Sequence, residues 1–146
     1  MMKSIVIYYS FGGATEREAQ RLAAELACPL VKAEETKPRN LFSAFFPGCP
    51  QARHRKASEI KPLSQDLSDY DRIVIGAPIW AGHPAPAFNA IVNQLPPGKA
   101  VSLFLCSGGG ERQKSEAGTR KLIEAKGCQV AEYRDIKTSQ APSKMK

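Results

Sequence analysis

Ile5-Val6-Ile7-Tyr8-Tyr9-Ser10-Phe11-Gly12-Gly13-Ala14-Thr15 begins as an unbroken apolar run and passes through two glycines directly into a helical pattern. A run of β-branched and aromatic residues without polar alternation suits a strand buried on both faces of a sheet. The residues that follow change period. Ala19, Leu22, Ala23, Leu26 and Ala27 fall on one face of a helix, while Glu16, Arg17, Glu18, Arg21 and Glu25 point elsewhere. Thr15 and Glu18 have the spacing of a capping box at its start. Strand, glycine turn and helix form the first unit of an alternating α/β chain.

The same alternation continues outward. Ile73 to Ala77 and Val101 to Leu105, the latter interrupted only by Ser102, predict two more central strands. Leu30 to Ala33 and Gln129 to Tyr133 are shorter or mixed and suit the sheet edges. Phe88, Ile91, Val92 and Leu95 predict a helix stopped by Pro96-Pro97-Gly98, and Ser115 to Lys126 another ending at Gly127. Right-handed crossovers then give a doubly wound, five-stranded parallel sheet of order 2-1-3-4-5. Residues 1–136 form one domain and 137–146 a polar tail. From Glu34 to Tyr70 the pattern is weakest. Asn40 can cap a short helix carrying Leu41, Phe42, Phe45 and Phe46, ended by Pro47-Gly48, which either covers a sheet face or serves as a lid or docking patch.

Composition narrows the class. The 146 residues are 42% apolar, enough for one core, and no run approaches the roughly 20 residues of a membrane span. The start passes into β-branched residues too soon for a signal peptide, so a soluble cytoplasmic protein without a membrane partner is expected. Cys28, Cys49, Cys106 and Cys128 lack zinc or dithiol spacing, and reduced, packed thiols are the default; Cys106, ending a strand beside glycines, could also approach a ligand. The net charge is +7. The basic residues are scattered, and the one dense cluster, Arg53-His54-Arg55-Lys56, has no aromatic interleaving, so it reads as a solvated face and no nucleic-acid partner is expected.

Three loops at adjacent strand ends could carry chemistry. In Ser10-Phe11-Gly12-Gly13-Ala14-Thr15, glycines bring the backbone close to a ligand, and free amides at a helix start favour an anion. Ser10 and Thr15 add hydroxyls. In Gly76 to Pro84, Trp80 can offer its face to a planar ligand or pack against the Phe88 helix, and His83 reads as a turn residue. In Ser107-Gly108-Gly109-Gly110, glycines expose amides or simply bend.

The first strand with its loop, the segment Tyr70 to Trp80, and the Leu105 to Gly110 turn resemble flavodoxin-like FMN proteins over Lys3 to about Ile136. The resemblance implies that Ser10, Phe11, Gly12, Gly13, Ala14 and Thr15 bind the FMN phosphate. It also implies that Pro78, Ile79, Trp80, Ala81 and Gly82, with Ser107, Gly108, Gly109 and Gly110, flank the isoalloxazine. No catalytic acid or base and no metal ligand is singled out. The chain departs from the family's Ser/Thr-x-Thr-Gly-Asn-Thr loop, with Gly12 replacing a hydroxyl and Ala14 an amide. It lacks a stacking Tyr in the fourth-strand loop, and its surface is basic.

An open ring face and a basic surface favour an oxidoreductase passing electrons from NAD(P)H or a reductase to a small, quinone-like acceptor. An electron carrier docking acidic partners, or an FMN-free interaction protein, are the alternatives. No fifth helix follows the Gln129 strand, so apolar sheet surface should be exposed there, covered by a homodimer contact or by Phe42 to Phe46.

Overall fold

The computed structural model describes residues 2–108 and 114–137. Chain order is β1 (Ser4–Tyr8), α1 (Ala14–Leu26), β2 (Leu30–Lys32), α2 (Leu41–Ser43), α3 (Cys49–Arg53), β3 (Arg72–Trp80), β4 (His83–Pro84), α4 (Pro86–Asn93), β5 (Ala100–Ser107), α5 (Glu116–Ala125) and β6 (Gln129–Lys137). The sheet runs β2-β1-β3-β5-β6, parallel throughout, with β4 paired antiparallel to β3. The expected order therefore holds, with one strand added. Lys137, assigned to the tail from sequence, closes β6 instead.

Alternation along the central strands explains why they read as continuous apolar runs. Ile5, Ile7, Ile73, Ile75, Leu103 and Leu105 face a core completed by Phe88, Ile91 and Val92 of α4 and Ile123 of α5. Val6, Tyr8, Val74, Phe104 and Cys106 face Ala19, Leu22 and Ala23 of α1. Both faces are covered, so nearly every inner position selects an apolar residue, Ser102 of β5 being the exception. The Phe104 ring is packed so closely over Gly76 that no side chain fits there.

Local chemistry revises several element ends. The Thr15–Glu18 capping box does not form. Gly13 is the cap, with φ +97° and no side-chain cap bond, and the backbone N–H of Glu16 donates to Ser10 Oγ at 3.2 Å. Ala27 leaves the helix face as a left-handed C-cap (φ +51°). Pro47-Gly48 does not end the helical segment after Asn40. A kink at Phe46 carries the chain through a cis Phe46–Pro47 bond into α3.

Nor does the Asn40 segment cover a sheet face: Leu41, Phe42, Phe45 and Phe46 are between 61% and 74% exposed. The expected bare apolar patch beside β6 is also absent among the described residues. On the α1 side, Arg134 of β6 reaches Glu18 at 3.3 Å, and Glu132 reaches Arg72 at 3.7 Å. These long side chains lie over the sheet in place of an apolar surface.

The stretch between β2 and β3 is an excursion with a narrow neck. Glu35 bridges Ile60 antiparallel, with Thr36 N–H donating to Glu59 O at 3.0 Å and Lys61 N–H to Glu34 O at 2.8 Å. Its far end is fastened to α5. Arg55, expected in a solvated face, donates to Thr119 Oγ1 at 3.0 Å and to Ser115 O at 2.9 Å, and burial lowers its pKa.

Because a Cβ at Gly76 would run into the Phe104 ring, Gly76→Ala should destabilise the fold by about 1–3 kcal/mol, measured by urea denaturation.

Candidate functional site

All parallel strands end at the same edge of the sheet, which places the ends of the neighbouring strands β1, β3 and β5 side by side. The first is shaped by backbone conformation. Gly12 and Gly13 have φ of +93° and +97°, a region that costs any other residue strain. This pair turns the chain from β1 into α1 within a few residues. Helix geometry leaves the first-turn amides without partners inside α1. That of Glu16 is met by Ser10 Oγ, whose hydroxyl proton remains free to donate. Thr15 is buried, and its hydroxyl contacts the Cys106 thiol. Of the two expected hydroxyl contributors, Ser10 lies at the loop surface and Thr15 offers its backbone N–H. Cys106 is a packed thiol whose pKa burial raises.

The second loop is shorter than the sequence suggests. Pro78, Ile79 and Trp80 continue β3, and only Ala81 and Gly82 form the turn, with φ of +53° and +83°. Two consecutive positive φ angles are the signature of a tight hairpin whose twist matches its strands. Trp80 thereby pairs with His83, a turn-flanking residue as expected, with Nδ1 3.3 Å from Ala81 O. The turn is tied to α5 by Ser115 Oγ, which donates to Gly82 O at 2.6 Å. In the third loop, Ser107 ends β5 and Gly108 follows; Gly109 and Gly110 lie outside the described residues.

Trp80 is the joint between the first two loops. Tyr9 and Phe11 meet its ring edge-on, with centroids 6.0 and 5.9 Å away. It packs near Ala85 and Ala87, whereas Phe88 belongs to the core beneath the sheet. On its outer side Phe11, Leu41, Ala44, Phe45, Cys49 and Trp80 line an apolar hollow of about 220 Å³. This juxtaposes a planar, apolar recess with an amide-rich helix start.

The group that fixes Trp80 from the other side is Arg39, which sequence analysis did not single out. Arg39 Nε donates to both carboxylate oxygens of Glu35, at 2.9 and 3.1 Å. Its Nη1 donates to Ser43 O at 3.0 Å and its Nη2 to Gln51 Oε1 at 2.9 Å, and the guanidinium lies 5.5 Å from the indole centroid. Tyr9 Oη donates to Glu35 Oε1 at 2.8 Å, and burial, followed by that carboxylate, raises the phenol's pKa. Both side chains of the pair are nearly sequestered, at 10% and 5% exposure for Arg39 and Glu35. A buried charge requires its counter-ion. Gly48 completes the packing, since a Cβ there would lie 3.0 Å from both Arg39 Nη1 and Trp80 Cζ3.

Arg39→Met leaves the Glu35 carboxylate buried without its cation. A loss of about 3–5 kcal/mol is expected by chemical denaturation, with a shift in Trp80 emission.

No protein-family model and no curated protein matches the chain. Solved structures do. A flavoprotein from Lactobacillus acidophilus, crystallised in complex with FMN, is 24% identical, with 92% of this chain and 94% of that one aligned at a TM-score of 0.76. A flavoprotein from Bacteroides uniformis reaches 0.81 at 19% identity, covering 97% of this chain and 94% of that one. Flavodoxin 1 from Bacillus cereus, 14% identical, aligns over 98% of this chain and 92% of its own at 0.51. With its β2-β1-β3-β5-β6 sheet, α1 on one face and α4 and α5 on the other, the chain has the flavodoxin-like fold.

Proposed function

We propose that this chain binds FMN at the carboxyl ends of β1, β3 and β5 and acts as an oxidoreductase, passing electrons from NAD(P)H or a reductase to a small, quinone-like acceptor. The observation that carries the reading is the joint at Trp80: a helix start built for an anion and an apolar recess sized for part of a ring system share Phe11. FMN has both a phosphate and a planar ring.

The residues present fit that group. The backbone amides of Gly13, Ala14 and Thr15 and the Ser10 hydroxyl would hold the phosphate, with the α1 dipole favouring its charge. The side chains that the family carries at the Gly12 and Ala14 positions are dispensable to this scheme, because the left-handed glycines present backbone instead. Phe11 and Trp80 would bound the ring, with Pro78, Ile79, Ala81, Gly82, Ser107 and Gly108 at its margins. Bound FMN supplies the redox chemistry. The protein's part is to orient the ring, exclude water from one side and leave access on the other.

The Arg39–Glu35 pair serves this arrangement by holding the indole in place from beneath the excursion. An electron carrier without its own substrate is the second reading. It draws on the +7 charge, which suits an acidic redox partner. Steady turnover with NAD(P)H and a quinone supports the first reading; electron exchange with a reductase and no turnover supports the second.

Trp80 is the chain's single tryptophan, so FMN titration should quench its fluorescence saturably. Gly13→Ala, which strains the loop by about 1–2 kcal/mol, should weaken binding roughly tenfold. A protein that purifies colourless and shows no quenching would overturn the FMN reading and leave a flavodoxin-fold interaction protein.

A further inference from the structure

The excursion carries its apolar side chains on the outside. Leu41, Phe42, Phe45 and Phe46 stand 63%, 74%, 73% and 61% exposed within one kinked helical turn. Leu41 and Phe45 edge the recess beside Trp80, but Phe42 and Phe46 do not line it. Isolated surface apolar residues are ordinary; four large ones in one short segment mark a contact surface.

The segment is also held firmly while its apolar tips stay outside. Asn40 and Ser43 form a reciprocal capping box, and Arg39 ties the turn at Ser43 O and α3 at Gln51 to the buried Glu35. The exposure is thus built into the anchoring.

Charge identifies the occupant. Between Glu35 and Glu59 the chain has no acidic residue, while Lys37, Arg53, His54 and Lys56 are exposed. A second copy would bring the same exposed basic residues and the same +7 charge against itself, and that repulsion opposes self-association. Protruding aromatic side chains on a segment whose exposed charged residues are all basic suit a soft anionic surface into which rings can sink and against which cations are retained.

We propose that the Leu41–Phe46 projection docks this protein on anionic lipid bilayers, with Phe42 and Phe46 entering the headgroup boundary. No described helix is long and apolar enough to cross a membrane, and the contact is with one leaflet only. This inference does not depend on FMN, because Phe42 and Phe46 lie outside the recess.

The test is flotation of the full chain with vesicles of phosphatidylglycerol and phosphatidylcholine, and with phosphatidylcholine alone. Binding to the anionic vesicles, weakened by salt and reduced roughly tenfold or more in Phe42→Ser/Phe46→Ser, is the expected result. Arg53→Glu/Lys56→Glu should lower binding further, by roughly fivefold or more per charge. Unchanged Trp80 emission would show that each variant is folded. Three results would overturn the proposal: no flotation with anionic lipid, equal flotation of the Phe variant, or a concentration-dependent dimer in sedimentation that the Phe variant abolishes. The last would assign the patch to a second copy. FMN titration of the Phe42→Ser/Phe46→Ser variant, expected to be unchanged, separates this outcome from any failure of the cofactor reading.

Discussion

Each right-handed crossover in a parallel sheet returns the chain to begin its next strand at the same edge, and therefore to end it at the opposite one. In this protein that constraint delivers the ends of β1, β3 and β5 to one place without any contact having to gather them. The strands can obey it because both faces of the sheet are covered, by α1 on one side and by α4 and α5 on the other. The cost of a buried parallel sheet is an interior with little room for polar groups. Chemistry is consequently displaced to the strand ends, where glycines and helix amides replace side chains as recognition elements.

The sheet was legible because two-sided burial imposes a nearly continuous apolar code on β1, β3 and β5, broken in the middle of β5 only by Ser102. Alternating layers then made the strand order deducible. Legibility failed where one residue served two purposes. Pro78 looks like a loop residue, yet it lies within β3, where its carbonyl accepts a hydrogen bond from Ala85 N–H. Thr15 has the spacing of a cap, but Gly13 in a left-handed conformation takes that position and leaves Thr15 facing Cys106. In each case a tertiary neighbour overrides a local preference.

The site divides in the same way. The turn at Ser10 to Thr15 could be read in advance as a turn, because adjacent glycines between a strand and a helix mark an abrupt change of chain direction. The cluster around Arg39 could not: Glu35 and Arg39 are four apart but lie outside any helix, and Tyr9, Ser43 and Gln51 come from the loop after β1, α2 and α3. Exposure of Phe42 and Phe46 was equally hidden: aromatic residues at helical spacing carry the same pattern whether they face a core or solvent. Arg55 shows the converse. A basic run reads as surface, but one member is drawn inward by the Ser115 carbonyl and the Thr119 hydroxyl.

The neck at Glu35 and Ile60 gives the excursion a modular character. Loop-closure entropy grows only slowly with length, so a change in the excursion's length costs little at the neck itself, and what it must preserve are the anchors at Arg39 and Arg55. The surface that surrounds the recess is thus joined to the sheet through the neck and a few side-chain anchors. The graft points are the paired residues of the neck.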